Sequence, residues 1–89
     1  MPVDPEYYQR LEDAIDGILT ELAGVLSSTE LADVGEFNCH GEYGLALEEL
    51  CAIISDGGYT VEQSVYEKIV TVGMTMGINS SWWSPIKTK

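Results

Sequence analysis

Residues 42–58, Glu-Tyr-Gly-Leu-Ala-Leu-Glu-Glu-Leu-Cys-Ala-Ile-Ile-Ser-Asp-Gly-Gly, decide the fold of this chain. Tyr43, Leu47, Leu50, Cys51 and Ile54 recur at steps of three and four, the spacing that puts side chains on one face of an α-helix. Glu42, Glu49 and Asp56 share the opposite face, and Gly57-Gly58 ends the pattern. The spacing predicts a helix over residues 42–55 with a buried stripe and an acidic outer surface.

Downstream, Thr60 and Gln63 have the spacing of a capping box. Val61, Val65, Ile69, Val72 and Met76 make a second stripe, which predicts a helix over residues 61–76. Gly77 closes it, and Asn79 caps a last short turn over residues 80–84 carrying Trp82 and Trp83. One of these rings is expected to be buried and the other partly exposed.

Upstream, Asn38-Cys39-His40-Gly41 reads as a turn. A short helix over residues 29–37, capped by Ser28 or Thr29, places Leu31, Val34 and Phe37 on one side. The first helix spans residues 5–26, with Asp4 as N-cap, Pro5 at the first helical position and Tyr8, Leu11, Ile15, Ile18, Leu22, Val25 and Leu26 as its stripe. No strand-like alternation persists. The fold class is therefore all-α: one domain over residues 1–89, a small antiparallel bundle of four to five helices with short connections.

Composition fits one compact domain. The chain has 89 residues, 45% of them hydrophobic, enough apolar material for a core without staples. Cys39 and Cys51 are too few for a disulfide framework, and residues 1–5 lack the features of a secretory signal. A reducing cytoplasm is the expected location.

Fifteen acids against four bases give a net charge of −11. The last acid is Glu67, and Lys68, Lys87 and Lys89 follow it; residues 1–67 thus hold all 15 acids against Arg10 alone, 1 − 15 = −14. Such a field repels nucleic acid and anionic membranes and steers a basic protein inward. The exposed acids expected to meet that partner are Glu12, Asp13 and Asp16 on the first helix and Glu42, Glu49 and Asp56 on the third.

Chemistry is poorly supplied. With one histidine, His40, a nucleophile–base pair would need Cys39, Cys51 or a serine beside it and a third group to orient the ring. Neighbouring side chains on a turn usually diverge, which argues against Cys39. A zinc site from Cys39, His40 and Cys51 lacks paired-ligand spacing and needs an acid as fourth ligand. No calcium-loop order of acids, carrier attachment site or basic recognition helix is present. The reading is a binding protein that is not an enzyme and needs no cofactor or metal.

The stretch His40-Gly41-Glu42-Tyr43-Gly44-Leu45-Ala46-Leu47-Glu48-Glu49-Leu50 resembles the hallmark of the MafI-type immunity proteins. The likeness extends over roughly residues 37–83, through Tyr66-Glu67-Lys68-Ile69, Gly73-Met74-Thr75-Met76-Gly77-Ile78 and Trp82-Trp83; Cys39 and Cys51 depart from it, and the first helix carries little of it. The resemblance implies an immunity protein of a polymorphic-toxin or contact-dependent inhibition system. Its partner would be a cognate toxin domain, often a nuclease, with ribonucleases of the EndoU type among those known, held in a one-to-one complex. A nuclease has a basic active face, which an acidic inhibitor can occlude. Within the block, Gly41 or Gly44 is expected to allow a tight entry into the helix, and Gly44, Leu45, Ala46 and Leu47 to serve packing. The alternative is an acidic adaptor or regulator of another basic protein.

Overall fold

Three helices end in the same way, and these endings fix the path of the chain. In the computed structural model, which describes residues 4–89, α2 (Ser28–Cys39), α3 (Tyr43–Asp56) and α4 (Gln63–Thr75) each run into a glycine with positive φ: Gly41, Gly58 and Gly77. The amide after each glycine reaches back five residues, Glu42 to Phe37, Tyr59 to Ile54 and Ile78 to Gly73, at 2.9–3.0 Å. These are Schellman endings, and they stop each helix abruptly enough for the next to fold back.

α1 (Pro5–Glu21) starts as the sequence indicates: Asp4 is the N-cap, accepting the Glu6 amide at 3.0 Å, and Pro5 opens the helix. It ends five residues short of the expected boundary. The cause is at Ser27, whose hydroxyl accepts the Glu30 amide at 3.1 Å while the Glu30 carboxylate accepts the Ser27 amide at 2.9 Å. This capping box starts α2 at Ser28, ahead of residue 29, and makes Ser27 the cap in place of Ser28 or Thr29. The turn over 22–26 still buries Leu22 and Leu26, so the stripe outlasts the helix.

Two further boundaries move. α2 continues to Cys39, so Asn38 and Cys39 lie on its last turn. Thr60 caps nothing: its backbone forms β1 (Thr60–Val61), paired in parallel with β2 (Lys87–Thr88), and Glu62 occupies the N-cap of α4. A one-turn 3-10 helix, η1 (Ser80–Trp82), follows α4 with Asn79 as its cap.

The molecule is the small all-α bundle expected, with this two-residue strand pair added. α2 packs most extensively on α3; α1 lies across α2, α3 and α4; η1 closes one side against α3 and α4. Tyr7 Oη near the start of α1 donates to Thr75 O at the end of α4, and Lys68 of α4 pairs with Glu21 at the end of α1, so these helices run antiparallel. The Cα radius of gyration is 12.3 Å, against about 12 Å for a single domain of this length.

One core joins every element. Ile15, Ile18, Val34, Leu47, Leu50, Ile54, Val61 and Ile69 are sealed from solvent, with Trp83 and Ile86 packed over them. Trp83 is 6% exposed and Trp82 38%, the division expected of the pair. Gly73 is buried in α4 because the Trp83 ring lies on it: a Cβ there would fall 2.8 and 2.9 Å from ring atoms Cη2 and Cε3. Among the described residues, no helix is long and apolar enough to cross a membrane.

Candidate protein-binding face

Leu45 breaks the pattern of α3. Ala46 and Leu47 are buried as expected, but Leu45 points outward and is 49% exposed, so it serves no packing within the bundle. Gly44 is an ordinary helical residue; Gly41, at φ +75°, makes the tight entry. A lone exposed leucine is ordinary, but Leu45 shares its groove with a second exposed large side chain, Trp82, and an exposed apolar pair of this kind marks a contact surface.

Leu45 sits beside Trp82 over a shallow groove of about 160 Å³ lined also by Phe37, Glu48, Glu49 and Ala52. A second groove, about 270 Å³, continues from it along Asp33, Glu36, Phe37 and Glu49. Together they form one face of α2 and α3: four carboxylates around Phe37, with Leu45 and Trp82 at one end. None of the four bases lines it. Arg10 pairs with Glu6 at 3.4 Å, Lys68 with Glu21 at 2.6 Å and Lys89 with Glu62 at 3.2 Å, all elsewhere on the molecule. Among the described residues, Asp33, Glu48 and Glu49 make no ion pair, and their negative potential is directed to solvent.

Of the six acids singled out in the sequence, only Glu49 belongs to this face. Glu12 is half-buried and accepts the Tyr43 hydroxyl at 3.4 Å; burial and the Glu12 charge together raise the Tyr43 phenol above its ordinary range. Asp16 accepts from Asn38 Nδ2 at 2.8 Å. Asp13 takes a hydrogen bond from Gln9 and lines a separate groove between α1 and α4. Glu42 borders an aromatic groove with Tyr7, Tyr8 and Tyr43, where the Tyr8 and Tyr43 rings stack at 6.1 Å. Asp56 is exposed at the end of α3. These acids are spread over the surface, and Asp33, Glu36 and Glu48 join Glu49 in their place.

Asn38 is the one buried polar residue among those described, and it fixes α2 against α1. Its amide donates to Glu12 O at 3.1 Å and to Asp16 at 2.8 Å, while its Oδ1 has no partner. The face is thus built on helices held by packing and by a satisfied amide donor, a rigid platform suited to docking.

The cysteines separate. Cys51 is buried in the core, and burial, with the Glu48 charge second, pushes its thiol up to about 12. Cys39 is exposed, and because it lies on a helical turn it does not diverge from its neighbour: its Sγ is 3.5 Å from His40 Nδ1. Cys51, from the buried face of α3, takes no part in that cluster.

Compared with known proteins, the chain matches no family model, no curated protein and no solved structure.

Proposed function

We propose that this chain is a binding protein that neutralises a basic protein domain by one-to-one occlusion, using the α2/α3 face. The observation that carries the reading is the conjunction of Asp33, Glu36, Glu48 and Glu49 with exposed Leu45 and Trp82 on one rigid surface that has no base of its own. Carboxylates without local cations raise the association rate of a basic partner, and an aliphatic and an indole side chain beside them supply the desolvated anchors that hold it.

The biological setting, an immunity protein paired with a toxin domain, rests on the resemblance of the 40–50 block to the MafI-type immunity proteins. A nuclease is the toxin class that fits, since a surface that holds polyanions is the natural counterpart of an acidic inhibitor.

Co-expression with a candidate toxin domain taken from a neighbouring gene tests both levels. Restored growth and a stable one-to-one complex are the expected result. A toxin domain that is neither bound nor neutralised would overturn the immunity role. Binding to a basic partner that carries no toxicity would make the chain an adaptor on the same face.

A further inference from the structure

The last turn of α2 brings three metal-ligating side chains together. Glu36, Cys39 and His40 stand at i, i+3 and i+4, and their ligand atoms lie within 4.8 Å of one another. Cys39 Sγ is 3.5 Å and Glu36 Oε1 3.9 Å from the same atom, His40 Nδ1. That nitrogen also lies 2.7 Å from the Glu36 carbonyl oxygen.

This convergence distinguishes two chemistries. A proton relay from thiol to carboxylate needs the thiol on one ring nitrogen and the carboxylate on the other. Here both meet Nδ1, so no relay can run through the ring. Groups gathered around one point are what a cation bridges. From the usual Zn–S, Zn–N and Zn–O bond lengths, tetrahedral zinc needs ligand–ligand separations of about 3.3–3.6 Å. The S···N edge already has that length; the exposed Glu36 carboxylate must close by about half an ångström towards Nδ1 and by up to about 1.2 Å towards the Cys39 sulfur, a side-chain movement within its reach.

We infer that Glu36, Cys39 and His40 form a surface site for a thiophilic divalent cation, zinc above all, with water completing the coordination. Three protein ligands with an open position suit zinc, and a mixed S, N, O set excludes calcium and magnesium as preferred occupants. Binding replaces the Cys39 thiol proton, released to solvent. It also requires the imidazole proton that Nδ1 donates to the Glu36 carbonyl to pass to Nε2 through solvent, which gives up that hydrogen bond and frees the Nδ1 lone pair for the metal. The carbonyl end of α2 and the net charge of −11 both favour a cation at this place. The inference does not depend on the partner reading.

Cobalt(II) titration of the full chain, with zinc as competitor, tests it. One cobalt per chain should bind with a thiolate-to-metal charge-transfer band, and equimolar zinc should abolish the band. Cys39→Ser should remove it, while Glu36→Gln and His40→Ala should each weaken binding at least about tenfold. All three side chains are exposed, so helix content should be unchanged by circular dichroism. Absence of the band, its survival in Cys39→Ser, or affinity that His40→Ala leaves intact would overturn the site. The last would mean scattered cation binding by surface acids.

Discussion

The hydroxyl of Tyr59 donates at 2.9 Å to the same Glu30 carboxylate oxygen that accepts the Ser27 amide at 2.9 Å. One carboxylate thus caps the start of α2 and ties it to the residue that follows the α3 ending. The Ser27 backbone hydrogen bond first, and the Tyr59 hydroxyl second, hold the Glu30 carboxyl below its ordinary value of 4.5. A lowered acid contributes stability that is present above its unfolded value and lost as pH falls through its folded value. Urea unfolding should show Glu30→Gln less stable than the native chain at neutral pH, with the gap closing below pH 4.5. A gap independent of pH would refute the assignment. Ser27→Ala removes the other half of the box and should cost about 1 kcal/mol.

Gly73→Ala should destabilise the protein although alanine favours helices. The added methyl meets the Trp83 ring, which is itself buried in the core and 6% exposed, so it can swing aside only by giving up its packing. Overpacking of this kind costs about 1–3 kcal/mol, more than the helix-propensity gain of about 1 kcal/mol. A lowered melting temperature and a red-shifted tryptophan emission are the expected readouts. An unchanged melting temperature would mean that the ring is not seated as described.

Asn38→Asp tests the α1–α2 contact. It replaces an amide donor by a carboxylate facing the Glu12 carbonyl and the Asp16 carboxylate, a buried like-charge contact that should cost about 3 kcal/mol or more. The introduced carboxyl would have a raised pKa in the fold. Its penalty should therefore be full at neutral pH and shrink as pH falls through that raised value.

Only one thiol should react with a disulfide reagent in the native protein at neutral pH. Cys39 is exposed, whereas Cys51 is buried with its thiol pushed up to about 12. The second equivalent should appear only on unfolding, at a rate set by the opening of the core. Two equivalents at the fast rate would contradict the packing of α3.

On the proposed face, Leu45→Ala and Trp82→Ala should each change stability by less than about 1 kcal/mol and together weaken partner binding by about 2 kcal/mol or more. Glu48→Lys with Glu49→Lys should slow association at low salt and matter less at high salt. Wild-type kinetics in both pairs would place the interface elsewhere.

All four helices were readable from their stripes, because burial on one face imposes a period that the residues themselves record. Their boundaries were less so, and the two capping boxes show why. Ser27-x-x-Glu30 and Thr60-x-x-Gln63 are equivalent as patterns, but only the first forms. Thr60 is taken by Lys87, a partner distant in sequence that no local period reveals. The acidic character of the surface was equally plain, whereas the particular acids that converge were not. Asp33 and Glu36 meet Glu49 only through the packing of α2 on α3. Leu45 was the available signal, being the one large aliphatic residue of the 42–50 block that lies off the α3 stripe.

The strand pair has a kinetic consequence. α1 on α2 and α2 on α3 are joined by adjacent turns and close quickly, whereas α1 against α4 and the strand pair join segments distant in sequence and close more slowly. Thr60–Val61 can receive Lys87–Thr88 only after α4 and η1 have traversed the space between them. That pairing therefore follows the formation of α4 and η1. Until it closes, Val61 and Ile86 are uncovered and the Val61 carbonyl, which then accepts the Lys89 amide at 2.9 Å, is an open backbone edge. An open edge of this kind is a place where a partly folded chain can pair with another copy or be cleaved.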